Sequence, residues 1–250
     1  MTGPAAWDGA LALGAPPDDR LVFRGEQPPT DGSRVPLPDD LPAELSAALE
    51  RVGIDALWSH QADAIARARA GRHVGVVSGT ASGKTLAYTV PIVERLLRER
   101  HTRALYLAPT KALAQDQARR LHALGLGRDL RVALVDGDAD AATRRRARAE
   151  ANLVLSNPDM AHVGICPHHH RWDEWLAGLS AIVLDEAHVY RGVFGAHVAH
   201  VVRRLRRCAA LYGAAPQLLL ASATIGNPHE AFAQLTGVEV DVVDGDGAAS

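Results

Sequence analysis

The residues best suited to chemistry lie in one octapeptide, Ser78-Gly79-Thr80-Ala81-Ser82-Gly83-Lys84-Thr85, between the apolar run "HVGVV" and a helical pattern. Glycines let the backbone curl so that successive N–H groups point inward at an anion, and a following helix adds roughly half a positive charge at its N-terminus. In that setting Lys84 reaches the β- and γ-phosphates of a nucleoside triphosphate and the Thr85 hydroxyl ligates Mg²⁺. Ser78 stands where the pattern G-x-x-x-x-G-K-[ST] begins with glycine, and serine is small enough for the turn to survive. A second feature follows about 100 residues later: Asp185 and Glu186, directly after "AIVL". Two adjacent carboxylates are costly unless a cation or a catalytic role stabilises them. Asp185 then holds Mg²⁺, directly or through water, and Glu186 polarises the attacking water. Taken singly, the halves read as a Gly/Ser turn with a surface lysine and as acids capping a helix. Together they predict a chain that binds a nucleoside triphosphate with Mg²⁺.

Such residues must be carried by a frame. Short apolar runs recur at 73–79, 103–109, 131–137, 152–158, 181–187 and 217–223. Each has strand length, and most are almost continuously hydrophobic, as parallel strands buried on both faces require. Helical stretches such as "KTLAYTVPIVERLLRER" and "AHVAHVVRRLRRCAALYG" separate most of them. The pattern predicts an α/β fold, a mostly parallel sheet with helices on both faces and ligands beyond the strands' C-terminal ends. Upstream, "PAELSAALERVG" and "HQADAIARARAG" read as helices closed by Gly53 and Gly71. Eight of the 14 prolines lie in the first 42 residues, which predicts a loose Pro/Gly-rich arm over 1–40 and a packed domain over 41–250.

The sequence around these features resembles a family. Asp185-Glu186-Ala187-His188 is similar to motif II of the DEAD/DEAH-box helicases of superfamily two. "PTKALAQDQ", "SNPDM" and "SAT" resemble motifs Ia, Ib and III in the expected order, and Gln61 in "WSHQADAI" resembles the upstream glutamine that reads adenine. The likeness is tighter to the MrfA/YprA-type group of DNA helicases, through "LWSHQADAI", "GTASGKT", "LYLAPTKALAQDQ", "PHHHRW", "DEAHVYRGVFGAHVAHVVRRL" and "SATIGNP", and it runs from about Val35 to the C-terminus. The resemblance implies a RecA-like P-loop NTPase fold, ATP hydrolysis coupled to movement on single-stranded or partly duplex DNA, and a part in DNA repair. It implies strand-phosphate contacts at Thr110, Lys111, Ser156 and Asn157. Helix N-termini and Lys111 suit that role, and none of these groups reads a base, so binding is expected to be sequence-tolerant and weakened by salt. Ser222, Thr224 and His188 are expected to link the γ-phosphate state to the nucleic-acid groove. Phosphate grips alone do not separate DNA from RNA, and the DNA assignment rests on the resemblance.

Other features are set aside as chemistry. "CPHHHRW" at 166–172 offers one thiol and three imidazoles, but structural zinc takes four ligands in spaced pairs and adjacent histidines point apart. The loop His168–His170 is left with a structural or nucleic-acid-facing role. In "VVRRLRRC" the residues Val198, Val201, Val202, Leu205 and Cys208 form an apolar helical stripe, so the arginines belong to a solvated face, as do Arg144, Arg145 and Arg146. Net charge is −2, so any nucleic-acid contact must be local. Two cysteines suggest neither a disulfide framework nor a four-cysteine zinc site, and no apolar run nears the ~18 residues of a membrane helix. With no signal-peptide pattern, the expectation is a cytoplasmic protein without a membrane partner.

Helicases of this superfamily close two RecA-like lobes around ATP, the second supplying an arginine finger. The sequence given ends about twenty-five residues after "SAT". It is therefore expected to act as the first lobe, with weak hydrolysis unless a second lobe, possibly a separate chain, completes the site. A non-catalytic ATP- or nucleic-acid-binding module stays open beside it.

Overall fold

A computed structural model describes residues 33–79 and 83–245. Nine strands are formed: β1 (Arg34–Pro36), β2 (Ala56–Trp58), β3 (Val74–Val77), β4 (Arg103–Leu107), β5 (Val132–Leu134), β6 (Leu153–Ser156), β7 (Leu179–Leu184), β8 (Gln217–Ser222) and β9 (Asp241–Asp244). β1 and β2 pair antiparallel, while the other seven make one sheet in the order β5-β6-β4-β7-β8-β3-β9. Every pairing in that larger sheet is parallel. All six runs expected as strands are in it.

Period-two alternation sends the side chains of each strand to two cores. Leu105, Leu107, Ile182, Leu184, Leu218 and Leu220 face the core built with helices Ala141–Glu150, Gly192–Leu211 and Pro228–Thr236. Ala104, Tyr106, Ala181, Val183, Leu219 and Ala221 face the core built with Ala43–Arg51, Ser59–Arg69, Lys84–Arg98 and Lys111–Ala123. The stripe expected on Gly192–Leu211 is buried throughout, from Val198 to Cys208. Two of its arginines lean across to the neighbouring helix, with Arg203 donating to the Gln234 carbonyl at 2.8 Å and Arg206 to that of Thr236 at 3.3 Å.

One expectation needs correction. The loose arm does not extend to residue 40, because Arg34 already pairs opposite Trp58 and Asp40 bonds Arg69 at 2.8 Å. Residues 1–32 lie outside the described residues. The strand carrying Asp185 lies two places from the strand of the phosphate loop, with β8 between β7 and β3. That intercalation separates the two strand ends by about 10 Å, twice the interstrand spacing. Among the described residues no helix is long and apolar enough to cross a membrane.

Candidate nucleotide and nucleic-acid site

The loop begins at the end of β3, where the Ser78 N–H donates to the Ser222 carbonyl at 3.3 Å and so ties the cradle to β8. It ends at Gly83, the residue before the Lys84–Arg98 helix, in the left-handed region at φ 73°. A Cβ there would stand 2.6 Å from Gln61 Nε2, so the position takes glycine on both counts. Thr80, Ala81 and Ser82 lie outside the described residues. Lys84 Nζ donates to the loop's own carbonyls, Ser78 O at 2.9 Å and Gly79 O at 2.6 Å. Its ammonium thus sits against the first two residues of the loop.

Gln61 is only 1% exposed, unlike the usual glutamine at a helix start. Its Oε1 accepts the Trp58 N–H at 2.9 Å and its Nε2 donates to the Gly83 carbonyl at 2.9 Å, so it joins the end of β2 to the end of the phosphate loop. Beside Gly83 an apolar cleft of about 380 Å³ opens between Val52, Ile54, Thr85, Leu86 and Leu121. Gln61 does not line that cleft but fixes the glycine that does.

Asp185 extends β7 one residue, and alternation after Ala181 and Val183 turns it toward the Lys84–Arg98 helix. There its Oδ2 accepts hydrogen bonds from Tyr106, on the adjacent strand β4, and from Tyr88, at 3.2 Å. Oδ1 accepts the Glu186 N–H at 2.9 Å. The two rings lie 5.9 Å apart. Burial, with neighbouring Asp185 adding to it, raises both phenols far above their ordinary range, so they remain donors. Tyr88 stands one turn after Thr85 on the same helix, so its hydroxyl ties the carboxylate at the end of β7 to the helix that opens with Lys84 and Thr85. Neither tyrosine stands out in the sequence, because a tyrosine in an apolar run reads as core.

Glu186 is held at φ 49°, ψ 46°, left-handed for a non-glycine residue and sustained only by its surroundings. One of those is His188, whose Nδ1 lies 3.2 Å from Glu186 Oε2 and 3.2 Å from the Ala223 N–H. A ring nitrogen cannot accept from the amide and donate to the carboxylate at once. His188 therefore chooses between Glu186 and the segment after β8. Ser222 is fully buried and its hydroxyl donates to the Ala223 carbonyl at 2.8 Å; Thr224 is exposed just beyond. The three residues expected to couple the site thus meet around Ala223.

The expected phosphate grips are less uniform. Thr110 caps its helix by accepting the Leu113 N–H at 3.3 Å, and Asn157 caps the next by accepting that of Met160 at 2.8 Å. Lys111 is exposed but already ion-paired, 3.1 Å from Asp136 and also bonded to Asp138. The Ser156 side chain is no grip: it is 1% exposed and its hydroxyl donates inward to the Val135 carbonyl at 2.6 Å, fastening β6 to β5's end.

Comparison with known proteins bears on this arrangement. The DEAD/DEAH box helicase family model matches residues 58–232. The chain is 43% identical over 235 residues to an uncharacterized ATP-dependent helicase, YprA, of Bacillus subtilis (strain 168), covering 93% of this chain and 31% of that protein. It is 39% identical over 200 residues to the ATP-dependent helicase hrq1 of Schizosaccharomyces pombe, covering 78% and 19%. It superimposes on the DUF1998 helicase MrfA bound to DNA with a TM-score of 0.86 at 43% identity, over 89% of this chain and 30% of that one. With MrfA bound to DNA and AMPPNP the TM-score is 0.85 at 43% identity, over 88% and 31%. The chain spans about a third of the bacterial relative's length and a fifth of the yeast one's.

Proposed function

The chain belongs to the DEAD/DEAH box helicases, and on that footing we propose that it is the ATP-binding motor lobe of a helicase that moves along single-stranded DNA. The observation carrying this reading is the Tyr88 hydroxyl, which holds Asp185 against the helix that begins with Lys84 and Thr85. Lys84 and the loop amides hold the β- and γ-phosphates, whose oxygens replace the Ser78 and Gly79 carbonyls at the ammonium. The apolar cleft beside Gly83 takes the base, with Gln61 bracing its rim. Thr85 and Asp185 hold Mg²⁺, which when bound neutralises charge building on the phosphates. Glu186 takes the proton of the water that attacks the γ-phosphorus, and His188 orients that carboxylate. Loss of the γ-phosphate changes what Glu186 offers His188, and the Ala223 amide, with Ser222 and Thr224, relays the change toward the nucleic acid. Thr110, Lys111 and the backbone at Asn157 grip strand phosphates. DNA rather than RNA is favoured because MrfA, at 43% identity, is bound to DNA.

Asp185 is aimed by tyrosines, so Tyr106→Phe should weaken the Mg²⁺ dependence of nucleotide binding about tenfold while leaving the fold intact. Titrating Mg²⁺ against a fluorescent ATP analogue reads this directly, and an unshifted midpoint counts against the assignment of Asp185.

The reading also requires a second RecA-like lobe, in the same or another polypeptide, to supply an arginine to the transition state. This chain alone should hydrolyse ATP slowly. Adding the second lobe of the bacterial relative with single-stranded DNA should raise turnover by roughly 10³ or more. No rise in that mixture, with ATP bound, argues for a non-catalytic module instead.

A further inference from the structure

The helix Ala141–Glu150 and the short 3-10 helix Cys166–Arg171 take no part in the site so far described, yet together they gather an unusual charge. Arg144 and Arg145 lie one turn before Arg148, whose guanidinium carbon stands 5.6 Å from the centre of the buried Trp172 ring. Arg171 precedes that tryptophan and is exposed. Among the described residues no carboxylate forms an ion pair with any of these four arginines. Asp140, whose charge reaches Arg144, is engaged in capping the Thr143 N–H at 2.6 Å. Arg144 Nε is buried without a partner. Burial first, and then the fields of Arg171, Arg145 and Arg144, lower the proton affinity of Arg148. Like charges one helical turn apart destabilise a helix, so this cluster is a standing cost that a bound anion removes.

The rings say which anion. The cationic groups alternate with them: His168 and His170 are both exposed, their ring centres 6.4 Å apart, and Trp172 underlies Arg148. Guanidinium groups for phosphates and ring faces for bases are what a sequence-tolerant single-strand surface combines, whereas an acidic polypeptide needs no rings. Trp175, whose ring packs on Trp172, donates to the Ala151 carbonyl at 2.9 Å, so the patch lies toward the start of β6 and a strand held at Asn157, after its end, runs the length of β6 to reach it.

We propose that Arg144, Arg145, Arg148 and Arg171, with the exposed rings of His168 and His170, form a second surface for single-stranded nucleic acid, receiving the strand beyond the part held at Thr110 and Asn157. The inference rests on the helicase-lobe reading and gives the lobe a longer footprint than its strand-end grips alone.

The test uses the whole chain, two fluorescent single-stranded DNAs of about 6 and about 20 nucleotides, and the double variant Arg145→Glu/Arg171→Glu. Arg145→Gln/Arg171→Gln serves as the milder change at the same exposed positions, and unfolding midpoints show that both variants fold. The charge reversal is expected to weaken the 20-mer about tenfold at low salt, and to flatten its dependence of log K on log salt by about 1.4, roughly 0.7 per lost phosphate contact. The glutamine pair should give the same slope change with a smaller loss of affinity. Binding of the 6-mer and of ATP should not change. An unchanged 20-mer, or an equal loss on both oligonucleotides, overturns the second surface while leaving the lobe reading in place. So does binding of polyglutamate that depends on these arginines when DNA binding does not, which would assign the patch to an acidic polypeptide. Failure of the unaltered chain to bind either DNA sinks the lobe reading itself, and this surface with it.

Discussion

Lys84→Ala should weaken binding of ATP by about two orders of magnitude and leave the fold intact. Each charge-assisted hydrogen bond from an ammonium to a phosphate contributes about 1.5–3 kcal/mol, so losing even two at the low end costs roughly 3 kcal/mol, a factor of about a hundred. The alanine also releases the Ser78 and Gly79 carbonyls, which now accept from Nζ at 2.9 and 2.6 Å. Lys84 belongs to neither hydrophobic core, so the unfolding midpoint should move little. Calorimetric titration with ATP measures the first effect and thermal unfolding the second. Affinity that survives the substitution unchanged would remove the nucleotide site from Ser78–Thr85.

Glu186→Gln should do the opposite: ATP stays bound and turnover falls by about a thousandfold. The isosteric amide keeps the volume but cannot take a proton from the attacking water, and general-base catalysis is typically worth 10²–10⁴ in rate. Glu186 differs from Asp185 in its neighbours. Asp185 is pinned by two phenols and a backbone amide, an arrangement for holding a ligand. Glu186 pairs with His188, its charge also reaches Tyr190, and it sits on a left-handed backbone. The comparison should be made in the two-lobe mixture with single-stranded DNA, where the unaltered chain turns over fast enough to resolve the loss. Equal turnover in the two proteins would move the proton acceptor elsewhere.

How much of this was legible in the sequence differs by element. The five inner strands announced themselves because burial on both faces favours apolar residues, so Val74–Val77 or Ala181–Leu184 is apolar at every position, and β5, half-buried at the sheet edge, is a short apolar run as well. β1 and β2 have three residues each, too few for any periodicity, and β9 begins and ends in aspartate. The phosphate loop and the acidic pair were readable because their chemistry is local in the chain. What surrounds them was not. Tyr106 and Tyr88 find Asp185 from 79 and 97 residues away, and nothing in an apolar run marks which hydroxyl will have a carboxylate above it. Lys111 looked available because Asp136 and Asp138 lie on a different loop. Ser156 looked exposed because strand ends usually are; here β5 ends alongside and takes its hydroxyl.

The interposed strand β8 has a mechanical consequence. Because β8 is hydrogen-bonded to β3 on one side and to β7 on the other, the gauge between cradle and acids is set by two rungs of backbone ladder. That gap cannot be tuned without tearing the sheet. Whatever stroke this lobe delivers must come from swivelling side groups and from the loops beyond the strand tips, with β8 serving as the rigid anvil against which they work.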